Sequence, residues 1–471
     1  MLLIAVTGPV GSGKTTLLAT LAAWSRAQGL TPDGFLARAV RRVNPLLGAA
    51  AYELEWVADG RVMPFAERSG PGRPAYVFCA DTLNAARVWA TGLRGEAPRP
   101  LVVLDEFGLL EARGEGHLAL WPDLAAAEPE VVVISVRTDV LDAVKQRLGR
   151  RFDLVIDAGD PGAWEKLRSA CREHRDWMRV GGYGAGAGGL EMSLGSALHG
   201  MKIPLRGLLM SSLQSSVMTL AGSGLGRRGR VVWVPLIAAG LKALSPAGSR
   251  LRPMLAISMQ GLLYGGAVTV LGWNALGVGL GGWLVGAWAA SQGIVLQWLL
   301  VGEHLLRAYD ALTGWVARHW HVGAPALGAV IAGWIVLWGA VAGAATLVTW
   351  RRRSLPRRFQ ELMSRRLEGL RDPEAPPPTR RQAALSGLRD LSRPAFWLPL
   401  LVIAAVVVAA GAPWSDAAWM GVRAVTLGFL IFTAARSFEP RRLAAWLRRR
   451  GHWGPAVALE KALRGRERRR G

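Results

Sequence analysis

Gly8-Pro9-Val10-Gly11-Ser12-Gly13-Lys14-Thr15 follows the apolar run Leu2 to Val6 and precedes Thr16 to Ala27, a segment with the apolar spacing of an amphipathic helix. Strand, glycine-rich loop and helix in that order make a phosphate-binding loop. The glycines let successive backbone N–H groups turn inward, and the helix N-terminus adds partial positive charge. Gly8 to Gly13 with Thr16 would form the cradle. Lys14 would reach the β- and γ-phosphates, and Thr15 would ligate Mg²⁺.

A second acidic motif completes the pattern. The apolar run Leu101 to Leu104 ends in Asp105-Glu106. The first carboxylate at such a strand end is suited to hold Mg²⁺. The second is suited to orient or deprotonate an attacking water. Further apolar runs at Val131 to Ser135 and Leu154 to Ile156 alternate with helical segments, which predicts an α/β domain with a mainly parallel sheet. Arg137 follows the first of these runs. It is a candidate to neutralise charge on the transferred phosphoryl group, or else a surface arginine beside the sheet.

The stretch Gly34-Phe35, then Ala51 to Trp56, Asp59-Gly60 and Leu104-Asp105-Glu106-Phe107-Gly108 with Glu111 resembles the small P-loop nucleoside-triphosphatases first named from a thermophile. The resemblance covers residues 1 to 175 and matches at Gly8, Gly13, Lys14, Thr15, Asp105, Glu106 and Glu111. Phe107 stands where that family usually has Ile. The resemblance implies a RecA-like core, Mg²⁺ as cofactor, and hydrolysis of ATP or another nucleoside triphosphate.

Composition changes after residue 180. Gly181 to Gly189 is glycine-rich and reads as a flexible linker. Beyond it, runs poor in charge recur at 203–222, 231–246, 253–273, 275–301, 325–349, 395–411 and 417–434. Most approach the roughly 20 residues a helix needs to cross a bilayer. The 21 Trp residues suit interfacial anchoring. The predicted organisation is an NTPase domain at 1–178, a linker at 179–198 and an all-α polytopic membrane domain at 199–349. A basic cytoplasmic loop at 350–394, a transmembrane hairpin at 395–434 and a basic cytoplasmic tail at 435–471 complete it. Arg-rich flanks and the need for nucleotide place the NTPase domain on the cytoplasmic side of an inner membrane. That placement requires an even number of spans before residue 350, where five candidates are counted, so six to eight spans are expected in all. The first apolar run feeds the loop, so it is not read as a secretory signal.

The net charge of +23 and isoelectric point near 11.4 concentrate in segments flanking the spans. Topology and anionic lipid headgroups account for them, and nucleic acid is not the expected partner. Cys79 and Cys171 lack metal-ligand spacing and read as reduced, structural thiols. His319 and His321 read as an interfacial pair rather than a metal site.

Polar residues inside apolar runs tend to mark pathways. Gln214, Gln260, Asn274 and Gln292 are candidates to line a cavity for a small polar solute. The segment 199–302 is similar to the substrate-binding components of energy-coupling-factor importers, and Arg423 to Arg442 to their transmembrane coupling component. That likeness implies a small solute and other transporter subunits as partners, although no ABC signature of the LSGGQ type occurs in the chain. The function expected is Mg²⁺-dependent NTP hydrolysis coupled to, or regulating, small-solute transport. The alternatives are a nucleotide-metabolising hydrolase or kinase merely anchored to the membrane, and a nucleotide-binding sensor or scaffold.

Overall fold

The computed structural model describes residues 1–41, 49–69, 76–94, 98–200, 205–244, 251–320, 325–355, 361 and 379–464. They divide into two compact units, Met1–Arg175 and Asp176–Gly471.

The first unit is built on eight strands: β1 Leu2–Gly8, β2 Pro32–Arg41, β3 Ala51–Trp56, β4 Val62–Arg68, β5 Tyr76–Phe78, β6 Leu101–Phe107, β7 Val131–Arg137 and β8 Leu154–Asp157. They form one sheet in the order β5-β4-β3-β2-β6-β7-β1-β8. From β2 to β8 the pairing is parallel, whereas β3, β4 and β5 extend the β2 edge in antiparallel register. Uninterrupted apolar runs are what centrally placed parallel strands require, because both faces are covered. Ile4 and Val6 pack on one face with Leu18 and Leu21 of α1 (Lys14–Ala27) and with Leu167 of a later helix. Leu3 and Ala5 pack on the other, with Ala86 of α2 (Ala80–Gly92), Leu124 of α4 (Trp121–Ala127) and Val144 of α5 (Leu141–Leu148). A short α3, Leu109–Arg113, follows β6. All parallel strands point the same way, so Gly8, Glu106, Arg137 and Asp157 gather at one edge, where open α/β sheets bind ligands.

The second unit is helical. The glycine-rich stretch expected as a flexible linker lies within α6, Ala163–Gly200. Tertiary packing accounts for the difference. A Cβ on Gly184 would press against Ile237, and one on Gly188 against Leu241, so bare glycines let α8 (Trp233–Lys242) approach closely. The burial gained offsets the helix cost of glycine.

Among the described residues four helices are long and apolar enough to cross a membrane: Pro253–Leu271, Ala275–Val301, Ala326–Arg352 and Trp414–Ser437. Arg381–Leu391 with Phe396–Ala409, bent by 50°, makes a fifth if the pair acts as one span. This is fewer than the six to eight expected. The described part of the run 231–246 contains the ten-residue α8, about half a bilayer at 1.5 Å per residue. The run 203–222 yields the 17-residue α7, Arg206–Gly222. The helices Ala275–Val301 (α10) and Pro325–Arg352 (α12) meet through small residues: a Cβ on Gly282 would overlap Thr346, and one on Gly286 the Trp338 carbonyl. Such contact between backbones is how helices pack where lipid removes the hydrophobic drive between them.

The described residues 440–464 of the basic C-terminal segment are also folded. They form helices Pro440–Arg449 and Trp453–Arg464, whose Ala444, Leu459 and Leu463 join a core with Trp177 and Val180. In the basic loop, Arg357, Arg358, Arg365 and Arg366 lie outside the described residues, as does His321.

Candidate functional site

β1 delivers the chain to the loop at Gly8, and the loop feeds α1 directly. Gly11 has φ 83° and Gly13 φ 91°, left-handed values that glycine adopts without steric cost. Pro9, Val10 and Gly11 are exposed at the tip. Ser12 N–H donates to the Pro9 carbonyl at 3.2 Å. The Ser12 hydroxyl is buried and has no hydrogen-bond partner among the described residues. Lys14 Nζ donates to the carbonyls of Gly8 at 2.9 Å and Pro9 at 2.8 Å. Burial lowers its ammonium below the usual lysine range, while Glu106 and Asp105 work against that shift. The Thr15 hydroxyl lies on the side of the Asp105 carboxylate where it favours the charged form. Thr16 is exposed, its carbonyl accepting from Thr20 Oγ1 at 2.8 Å.

One strand, β7, lies between the loop strand β1 and the acidic strand β6. Asp105 is nevertheless engaged from three sides. Ala37 N–H donates to Oδ2 at 3.1 Å, Glu106 N–H to Oδ1 at 3.0 Å, and the Ser135 hydroxyl to Oδ1. Asp105 is fully buried. That burial pushes its carboxyl up, and the donors on Ser135, Thr15, Ala37 and Glu106 oppose the shift. Glu106 has φ 68°, a left-handed backbone that is costly for a residue with a side chain and concentrated at functional positions. Burial first, then the Asp105 charge, pushes the Glu106 carboxyl up to about 7, with Lys14 pulling the other way. A carboxyl group there is matched to proton transfer near neutral pH.

Glu111 is buried in α3. It accepts from Gly108 N–H at 2.7 Å and His117 N–H at 2.9 Å, which fixes the turn following Glu106. Arg137 reaches the same edge, where its guanidinium grips Asp139 with contacts of 3.1 and 2.6 Å. That grip holds the Asp139 carboxyl below its usual range. Sequence reasoning missed Ser135 and Asp139. For Ser135 the signal was present: it is the one hydroxyl inside the apolar run Val131 to Val136.

The Thr15 hydroxyl and the Asp105 carboxylate are the hard oxygen donors that Mg²⁺ prefers, and the hydroxyl favours the charged form of the carboxylate. The residues therefore fit that ion. Among the described residues no group of three or more His, Cys, Asp or Glu could hold another metal. Cys79 and Cys171 are free thiols. His319 stacks on Trp315, with ring centroids 4.6 Å apart.

Four polar residues singled out in the helical unit prove to have different environments. Asn274 caps α10, its Oδ1 accepting from Gly277 N–H at 2.9 Å. Gln292 turns back on the Ala289 carbonyl at 3.4 Å. Gln260 and Gln214 are buried, and Gln214 Nε2 has no hydrogen-bond partner among the described residues. Nearby hydroxyls join helices: Thr346 donates to Ser215 at 2.8 Å, and Thr219 pairs with Tyr264 at 2.7 Å.

Residues 3–157, about a third of the chain, match a family described as NTPase. No curated protein and no solved structure matches the chain. With its loop and acidic pair at the carboxyl edge of a mostly parallel sheet, the N-terminal unit is a small P-loop NTPase domain.

Proposed function

We propose that this protein is a membrane-embedded nucleoside-triphosphatase that cleaves the terminal phosphoanhydride bond of ATP or a related nucleotide in its N-terminal unit. The observation that carries the reading is the pairing of the buried Asp105, held by the Ser135 hydroxyl, with Glu106 in a left-handed conformation, its carboxyl pushed up to about 7 by burial. The loop N–H groups and Lys14 bind the phosphates. Bound Mg²⁺, held by Thr15 and Asp105, would neutralise charge on the β- and γ-oxygens. Glu106 accepts the proton of the attacking water as its oxygen bonds to the γ-phosphorus, and the nucleoside diphosphate leaves. Arg137, on leaving Asp139, supplies a further positive charge to the transferred group.

This assignment makes turnover pH-dependent. Glu106 acts as a base only when ionised, and its carboxyl is pushed up to about 7. Turnover is expected to rise with pH, falling about tenfold per unit below a midpoint at or under that value, because bound Mg²⁺ favours the carboxylate. A rate profile that stays flat from mildly acidic to mildly alkaline pH contradicts the role of Glu106.

The four apolar helices support embedding in a membrane. The arginines at the end of α12 support a cytoplasmic placement of that helix end, the side on which nucleoside triphosphates are found. Coupling to a small polar solute is a second reading. It is favoured by the buried amide nitrogen of Gln214, which has no hydrogen-bond partner among the described residues, since such groups inside membrane bundles tend to mark ligand sites. A solute that stimulates hydrolysis in lipid vesicles is expected to lose that effect in Gln214→Leu while basal turnover persists. Stimulation unchanged in the variant removes Gln214 from any solute site.

A further inference from the structure

Ser135 lies on β7, the strand inserted between the loop strand and the acidic strand, with its Cα in register with Val6 of β1. It is fully buried in a run otherwise made of Val and Ile. Its hydroxyl donates to Asp105 Oδ1 and accepts the Glu106 N–H at 2.8 Å. One hydroxyl thus uses its single proton on one carboxylate and a lone pair on the peptide that carries the other. Regular pairing between β6 and β7 breaks between Leu104 and Phe107, and Glu106 takes φ 68° within that break. The kink therefore lacks the ladder bonds that would fix a regular strand. The Ser135 hydroxyl and Asp105 Oδ1 receive the freed N–H in their place.

We propose that Ser135 is a positioning residue. Its hydroxyl locks the left-handed turn at Glu106 and the orientation of Asp105 together, so that one carboxylate is aimed at the metal–nucleotide complex and the next at the attacking water. This rests on reading Asp105 and Glu106 as the metal-holding and base residues. Outer-shell partners of this kind set ligand orientation, and their loss is felt in metal affinity and rate rather than in folding. Ser135 touches neither Lys14 nor the loop in the contacts described, so phosphate affinity without metal does not depend on it.

The test uses the full chain in lipid nanodiscs and the variants Ser135→Ala, Ser135→Cys and Ser135→Thr. Binding of a fluorescent ATP analogue is measured with and without Mg²⁺, beside kcat and KM for ATP. Ala and Cys remove the strong donor at nearly constant volume. They are expected to lower kcat about 10- to 100-fold and the Mg²⁺-dependent gain in affinity by about tenfold. Affinity without Mg²⁺ and the melting temperature are expected to remain those of the wild type. Thr keeps the hydroxyl and is expected to restore both quantities. Should Thr prove too bulky to fold, the Ala and Cys pair still decides the matter. Wild-type kcat and wild-type Mg²⁺ gain in both Ala and Cys overturn the proposal. If Glu106→Gln is inactive while Ser135→Ala is fully active, the positioning role alone fails. If the wild-type protein itself hydrolyses nothing, the catalytic reading fails, and the Mg²⁺ gain still reports on the bond from Ser135 to Asp105.

Discussion

Lys14→Ala is expected to reduce NTP turnover by about 10²- to 10³-fold and to weaken nucleotide binding severely, the loss that follows removal of a preorganised charge from a phosphoryl-transfer site. The Lys14 ammonium is buried at the start of α1, folded over the carbonyls of Gly8 and Pro9 at 2.9 and 2.8 Å. That position keeps a positive charge against the loop and within the electrostatic reach of Glu106 and Asp105. Alanine leaves the helix intact, being the best helix former, so the effect is on charge rather than fold. Equilibrium binding of a fluorescent nucleotide and phosphate release measured on the same preparation check it. A variant that binds and hydrolyses like the wild type would mean that the loop does not hold the phosphates.

The NTPase unit was legible because its informative residues are contiguous. Gly8 to Thr15 and Leu101 to Glu106 each carry strand, turn and chemistry within one short stretch, and the apolar runs of β1, β6 and β7 mark strands buried on both faces. The antiparallel edge was less visible. β4 contains Pro64 and is more exposed than buried, and β5 has only three residues, none of them buried, so neither shows the sustained pattern of a central strand. The Ser135 hydroxyl stands out in its apolar run, but its partners could not be read from sequence, because they come from β6 and only the sheet order brings them to β7.

In the helical unit the misreadings share one cause, which is that composition was read without neighbours. Gly184 and Gly188 signal flexibility in isolation and close packing when Ile237 and Leu241 face them. The Arg-rich C-terminal segment resembles a loop by charge, yet Leu443, Ala444 and Leu447 have the spacing of one helix face. Asn274 reads as an intramembrane amide until α10 is seen to begin at the next residue. The fully apolar lengths of α10 and α12 needed no such context.

Glu106→Gln separates binding from chemistry and bears most directly on the proposal that this chain hydrolyses nucleoside triphosphates. The substitution keeps the shape of the side chain. It also keeps the backbone N–H contacts to Asp105 Oδ1 and Ser135 Oγ that hold the turn. What it removes is the carboxylate able to take a proton from water. General-base catalysis typically contributes about 10²- to 10⁴-fold, so turnover is expected to fall by that order. Affinity for Mg²⁺-nucleotide is expected to stay level or rise slightly as one half-buried negative charge disappears. The decisive measurement is phosphate release and nucleotide binding by wild type and Glu106→Gln side by side, in lipid nanodiscs with Mg²⁺ at pH 8. The expected result is full binding by both proteins and release by the wild type alone. Release by Glu106→Gln at the wild-type rate, or no release by the wild type above that of Lys14→Ala, would contradict it.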